Sequence, residues 1–220
     1  MAIEALLDHP GIWRGDRHAQ VAPGIPTGYP ELDALLPGGG WALGALTEVV
    51  LQHHGIGELS LFVPALGRLS AAGEWIAFVT PPHLPYPPAL ADCGIDLRQF
   101  LLIRAGSAQD RLWAAEQALR AGSCAAVLFW PPDDTDERSL RRLQLAAEEG
   151  RTLGVLFVRD RRRARTSPAA LRLRLEAESA ERLRVHLVKR RAGGIAAPVS
   201  LPLDNVLVPR RRSSISRATG

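Results

Sequence analysis

The sequence predicts an α/β domain: a central, mostly parallel sheet flanked by helices, with antiparallel strands at the C-terminal edge. Two observations point there. Up to residue 159, short apolar runs alternate with stretches of helical length and periodicity, as in a parallel sheet built from right-handed crossovers. Beyond it, residues 171–178 and 183–189 alternate apolar with charged or polar residues at period two, as half-solvated antiparallel strands do.

Residues 1–23 read as a short helix and loop anchored by Leu6, Leu7, Ile12 and Trp13. The core spans 24–208, and residues 209–220 form a basic tail expected to be mobile. Within the core, a turn feeds a short helix, with Thr27 as N-cap and Leu32, Leu35 and Leu36 on its apolar face. Strands are expected at 46–51, 75–80, 100–103, 125–130 and 154–159. Helices are expected at 58–72, weakened by Pro64 and Gly67, and at 89–93, 108–121 and 136–149. Asp133 and Asp134 are the expected caps of the last helix and Gly150 its stop.

With 220 residues, 46% of them hydrophobic, the chain can bury a substantial core as one domain. It contains no apolar run near the ~20 residues of a membrane span. Glu4 and Asp8 in an N-terminus without a basic start argue against a signal peptide. Cys93 and Cys124 lack metal-type spacing and read as reduced thiols of a cytoplasmic protein. The net charge of +4 hides a division: residues 151–220 hold 17 Arg or Lys against 5 acids. That segregation suggests an anionic or acidic partner for the last third.

The most informative segment follows the first strand. Gly55, Gly57, Glu58 and Ser60 stand where a phosphate-binding loop would place its glycines, lysine and hydroxyl. The lysine position is Glu58, and the only lysine in the chain is Lys189. A carboxylate there repels the phosphates that a lysine would offset, so the loop is expected to be degenerate and the chain to be a pseudo-ATPase needing no cofactor. Glu58 has two readings: a solvent-facing residue of the first helical turn, or an internal anion that holds the loop closed. The fourth strand ends in Trp130, without an aspartate to hold a magnesium water shell. His83, beyond the second strand, has nothing to position a phosphate for it. His53 and His54 lack further ligands at metal spacing and read as surface loop.

This element order resembles the RecA core, over about residues 24–203. The segments 12–15, 32–41, 44–48 and 55–60 resemble the ImuA family, RecA/SulA-like accessory proteins of translesion synthesis. That resemblance implies a non-enzymatic adaptor of the SOS response, cytoplasmic and at the nucleoid. Its implied partners are ImuB, an inactive Y-family polymerase homologue, and an error-prone DNA polymerase III alpha-type subunit; RecA and single-stranded DNA are further candidates. A SulA-like cell-division inhibitor that binds FtsZ shares the Gly-x-Gly-Glu-Leu type of loop and is the alternative. The chain's length and arginine-rich segments favour the ImuA reading.

Arg159, Arg161, Arg162, Arg163 and Arg165 follow the fifth strand, where RecA-like proteins place a DNA-binding loop. They would contact phosphates without reading bases, or form a solvated charge run. Lys189, Arg190 and Arg191 stand where RecA-like subunits reach a neighbour's nucleotide; here they would pair with an acidic surface such as Glu58 of another copy, or simply solvate an edge strand. Trp41, after three glycines, is the tryptophan expected to be exposed to a partner, the others being mostly core. Arg210, Arg211 and Arg212 could engage ImuB or DNA.

Overall fold

A computed structural model describes residues 22–159, 167–190 and 196–203. Five strands appear where the apolar runs predict them: β1 (Ala45–Leu51), β2 (Trp75–Val79), β3 (Phe100–Ile103), β4 (Cys124–Phe129) and β5 (Leu153–Arg159). The period-two segments form β6 (Leu171–Ser179) and β7 (Arg182–Arg190). An unexpected β8 (Val199–Pro202) completes an eight-stranded mixed sheet of order β3-β2-β4-β5-β1-β6-β7-β8. The β3-to-β6 pairings are all parallel, and β7 runs antiparallel to both its neighbours. The sheet is mixed because a tight turn joins β6 to β7, whereas each parallel pair needs a crossover.

Among the described residues the α-helices are α1 (Pro30–Asp33), α2 (Val63–Ala71), α3 (Pro87–Asp92), α4 (Ala108–Arg120) and α5 (Glu137–Gly150). Buried residues of α2, α3 and the 25–41 segment pack on one sheet face. On the other face, Ala115 and Leu119 of α4 and Leu143, Ala146 and Ala147 of α5 cover β1, β2, β4 and β5. There β6 and β7 present Arg174, Glu176, Arg184 and His186, while Leu173, Leu175, Leu183 and Val185 face the first core. Period two thus separates a packed face from a charged one.

Several local expectations are corrected. The helix expected from residue 58 begins at Val63. Residues 58–62 form tight turns, with Ser60 N donating to Gly57 O and Phe62 N to Leu59 O. Pro64 has no N–H for the Ser60 carbonyl; the Tyr29 hydroxyl donates to it instead, at 3.2 Å. Thr27 is not an N-cap: its hydroxyl accepts from Tyr29 N while Asp33 accepts from Thr27 N. Asp136, not Asp133 or Asp134, caps α5, accepting from Ser139 N at 2.8 Å. Arg151, in the left-handed region at φ 52°, ends that helix. Gly150 serves a different need, since a Cβ there would lie 2.0 Å from the Leu119 carbonyl oxygen.

Trp41 is wholly buried, contrary to its expected exposure. It forms an antiparallel bridge with Ile25, each N–H donating to the other's carbonyl at 2.8 Å. The bridge closes because Gly24 and Gly40 let two backbones touch; a Cβ on Gly40 would meet the Ile25 oxygen at 2.2 Å. Trp41 then heads a chain of aromatic contacts running through Phe62, Phe157, Trp130 and Phe78 to Phe100. Among the described residues, Trp75 and Trp113 are the exposed tryptophans instead.

Candidate functional site

The carboxyl ends of β1, β2, β4 and β5 bring together the residues singled out around the degenerate loop. β1 delivers residues 52–60, β2 delivers Thr80 and His83, β4 delivers Trp130 and Asp133, and β5 delivers Arg159. Open α/β sheets bind ligands at such an edge.

Glu58 fills the loop from within. Its side chain turns back, and both carboxylate oxygens accept from Gly55 N at 3.0 Å; one also accepts from Ile56 N at 3.0 Å. The residue is 6% exposed, so it is not a solvent-facing residue of a first helical turn. Gly55 and Gly57 have φ of +87° and +93°, a conformation side chains rarely adopt. It lets successive N–H groups converge on one anion, as in a backbone nest. Leu203, after β8, seals the back of the loop: a Cβ on Gly57 would lie 2.7 Å from its Cδ1. Ser60 is buried within the 58–62 turns.

The neighbouring strand ends carry Trp130, Asp133, Thr80 and Arg159. Trp130 closes β4, stacked on Phe157 at 4.8 Å between ring centroids, and belongs to the core. Asp133 lies beyond it, 3.9 Å from Arg159. Thr80 ends β2 at φ 48°, strained for a β-branched residue. His53 and His83 are exposed. No group of three or more His, Cys, Asp or Glu residues suited to a metal occurs among the described residues. Cys93 and Cys124 are free thiols, pushed up in pKa by burial, with Asp92 adding to the rise at Cys93.

His54 lies beside the plug, its Nδ1 3.7 Å from a Glu58 oxygen. Burial pulls its imidazole below the ordinary value of 6.5; Glu58 opposes this, Arg159 and His83 add to the fall, and Asp133 opposes it. A folded-state value below the unfolded one means that the unfolded chain protonates first. His54 therefore contributes fully above about pH 6.5, and its contribution is lost as pH falls toward the folded-state value. The melting temperature of His54→Asn should fall less than that of the unmodified chain on acidification from neutral pH. Equal falls would remove His54 from this account.

Of the expected DNA-binding residues, Arg159 is exposed at the end of β5 beside Asp133, while Arg161, Arg162, Arg163 and Arg165 lie outside the described residues. The expected pairing of Lys189 and Arg190 with Glu58 of another copy concerns contacts between chains; within the chain these groups have other partners. Lys189 donates to Ser167 O and Arg190 to Leu35 O, each at 2.6 Å, and Glu58 is committed to its own loop. Arg191, Arg210, Arg211 and Arg212 also lie outside the described residues.

What fold and site define is a mixed α/β domain whose loop after β1 is filled by its own carboxylate. The sequence profile described as cell division inhibitor SulA matches residues 44–154, half of the chain. The chain belongs to that family. It is similar to the cell division inhibitor SulA of Edwardsiella piscicida, 37% identical over 100 residues that cover 45% of this chain and 59% of that protein. The SulA of Serratia proteamaculans is 29% identical over 52% of this chain and 67% of its own length. That of Klebsiella aerogenes is 28% identical over 53% and 69%. The chain thus spans about three-fifths of the Edwardsiella relative. These matches overturn the expected translesion role beside ImuB and a polymerase: the SulA side of the resemblance holds, and membership of the ImuA family is not shown. No helix among the described residues is long and apolar enough to cross a membrane.

Proposed function

We propose that this chain is a cell-division inhibitor of the SOS response, acting by direct binding to the tubulin-like division protein FtsZ without turning over nucleotide. The observation behind this reading is the family match, which runs from just before β1 to the start of β5. It includes the Glu58 loop and the β2–β3 region. Within it the core is RecA-like, a reading supported by parallel β1 and β4 flanking β5. Glu58 in the lysine position and Trp130 at the end of β4 replace the two side chains with which an active phosphate-binding loop holds a phosphate and its metal. Such a body acts by docking.

The docking surface of this proposal is the β2–β3 region. Leu84 is 67% exposed and Tyr86 58%, and Leu97, Leu101 and Leu102 are exposed nearby in sequence. Clustered exposed apolar side chains mark interaction sites more often than scattered ones do. β3 also ends the sheet, next only to β2. Expressing the chain in dividing bacteria should give filamentous cells. Replacing Leu84 and Tyr86 together by Asp should restore division while the purified variant melts as before. Normal division at high levels of soluble, unmodified chain would refute the proposal.

A further inference from the structure

We propose that the loop after β1 is an oxyanion cradle that is already occupied, its anion being the chain's own Glu58 carboxylate. Three features point to this. The Gly55 and Ile56 N–H groups converge on the carboxylate with three contacts of 3.0 Å, as they would on the oxygens of a phosphate. Of the two left-handed glycines that aim them, Gly57 is held independently of Glu58: it abuts Leu203, and the turn that follows it is fixed by Ser60 N and the Tyr29 hydroxyl. A Cβ on Gly55 meets nothing within 4 Å, so the mouth of the cradle is open beside the plug. Among the described residues, His54 stands beside the plug, and Arg159, His83 and Asp133 act on His54 electrostatically; of these, Arg159 is a fixed positive charge.

The cradle therefore outlives its plug. Shortening residue 58 removes the internal anion and leaves the N–H groups facing solvent, where a tetrahedral oxyanion takes its place. The unmodified chain excludes phosphate because the site is filled and because a second negative charge beside Glu58 is repelled. This inference concerns the loop alone and does not depend on division arrest.

The test uses the full chain and Glu58→Ala, with inorganic phosphate as the probe and sodium chloride of equal ionic strength as the control. Millimolar phosphate should raise the melting temperature of Glu58→Ala by about 5 °C and leave that of the unmodified chain unchanged. Glu58→Gln, whose amide oxygen still accepts from the N–H groups, should respond less than Glu58→Ala. If Glu58→Ala folds only when phosphate is present, that too supports the proposal. A folded Glu58→Ala indifferent to phosphate would overturn it, as would failure to fold with or without phosphate. A phosphate response in the unmodified chain equal to that of Glu58→Ala would overturn it as well.

Discussion

Trp41→Ala should destabilise the fold by about 3–5 kcal/mol, the range for truncating a large buried aromatic residue. Trp41 is fully buried, its ring 4.6 Å from that of Phe62. Phe62 in turn meets Phe157 edge-on at 5.8 Å, so the loss opens one end of an aromatic chain that crosses the sheet face. The interior near Trp41 is closed by backbone contacts between residues 24–26 and 40, which limits how far it can collapse around the gap. Trp41→Phe should cost much less. It keeps the ring contact and removes an indole N–H that has no hydrogen-bond partner among the described residues, and an unsatisfied buried donor is itself unfavourable. Urea denaturation of the two variants measures the difference. A loss below about 1 kcal/mol for Trp41→Ala would mean that the 24–41 clasp is not part of the stable core.

The second large effect is expected at the β1–β6 junction. Glu48 and Arg172 are register partners across that parallel pair, with Arg172 Nε 3.5 Å from Glu48 Oε2 and both side chains largely buried. Removing one member of a buried ion pair strands the other, at a cost of about 3–5 kcal/mol. Arg172→Met should approach that figure. Arg172→Met combined with Glu48→Leu should recover part of the loss, because the Glu48 carboxylate is then no longer left buried opposite an apolar side chain. Recovery in the double variant would make the pair a specificity device, one that disfavours registers of β6 that would separate it. A double variant no more stable than Arg172→Met would reject this explanation.

Much of the fold is legible because buried strands in α/β proteins are short continuous apolar runs, as residues 46–51 and 75–79 are. β6 and β7 are legible for the opposite reason: each alternates, since only one face is covered. What local pattern misses is set by distant partners. Trp41 after three glycines looks like an exposed loop residue, and only its bridge to Ile25 turns it inward. β8 is four residues long and starts after a proline; pairing with β7 makes it a strand, and pairing is invisible to periodicity. The start of α2 is misplaced because the Ser60 carbonyl is satisfied by Tyr29, 31 positions away. At the site, the loss of the lysine is legible from residue identity alone. Where the replacing carboxylate points is a tertiary fact.

The expected translesion role fails at a different level. The loop and the strand around it are common to related families, so local motifs could not separate translesion accessory proteins from division inhibitors. The arginine-rich segments favour the translesion reading, yet the matched region stops at residue 154, before most of those arginines begin. Similarity over 44–154 therefore separates families where charge in the last third does not.

The central claim is tested most directly by sedimentation of FtsZ polymer with the purified chain and no added ATP. Increasing amounts of the chain should reduce the pelleted polymer in proportion, approaching full loss near equimolar amounts, while the chain with both Leu84 and Tyr86 replaced by Asp should leave it unaffected. Undiminished polymer at equimolar unmodified chain, or inhibition that requires ATP, would contradict the account.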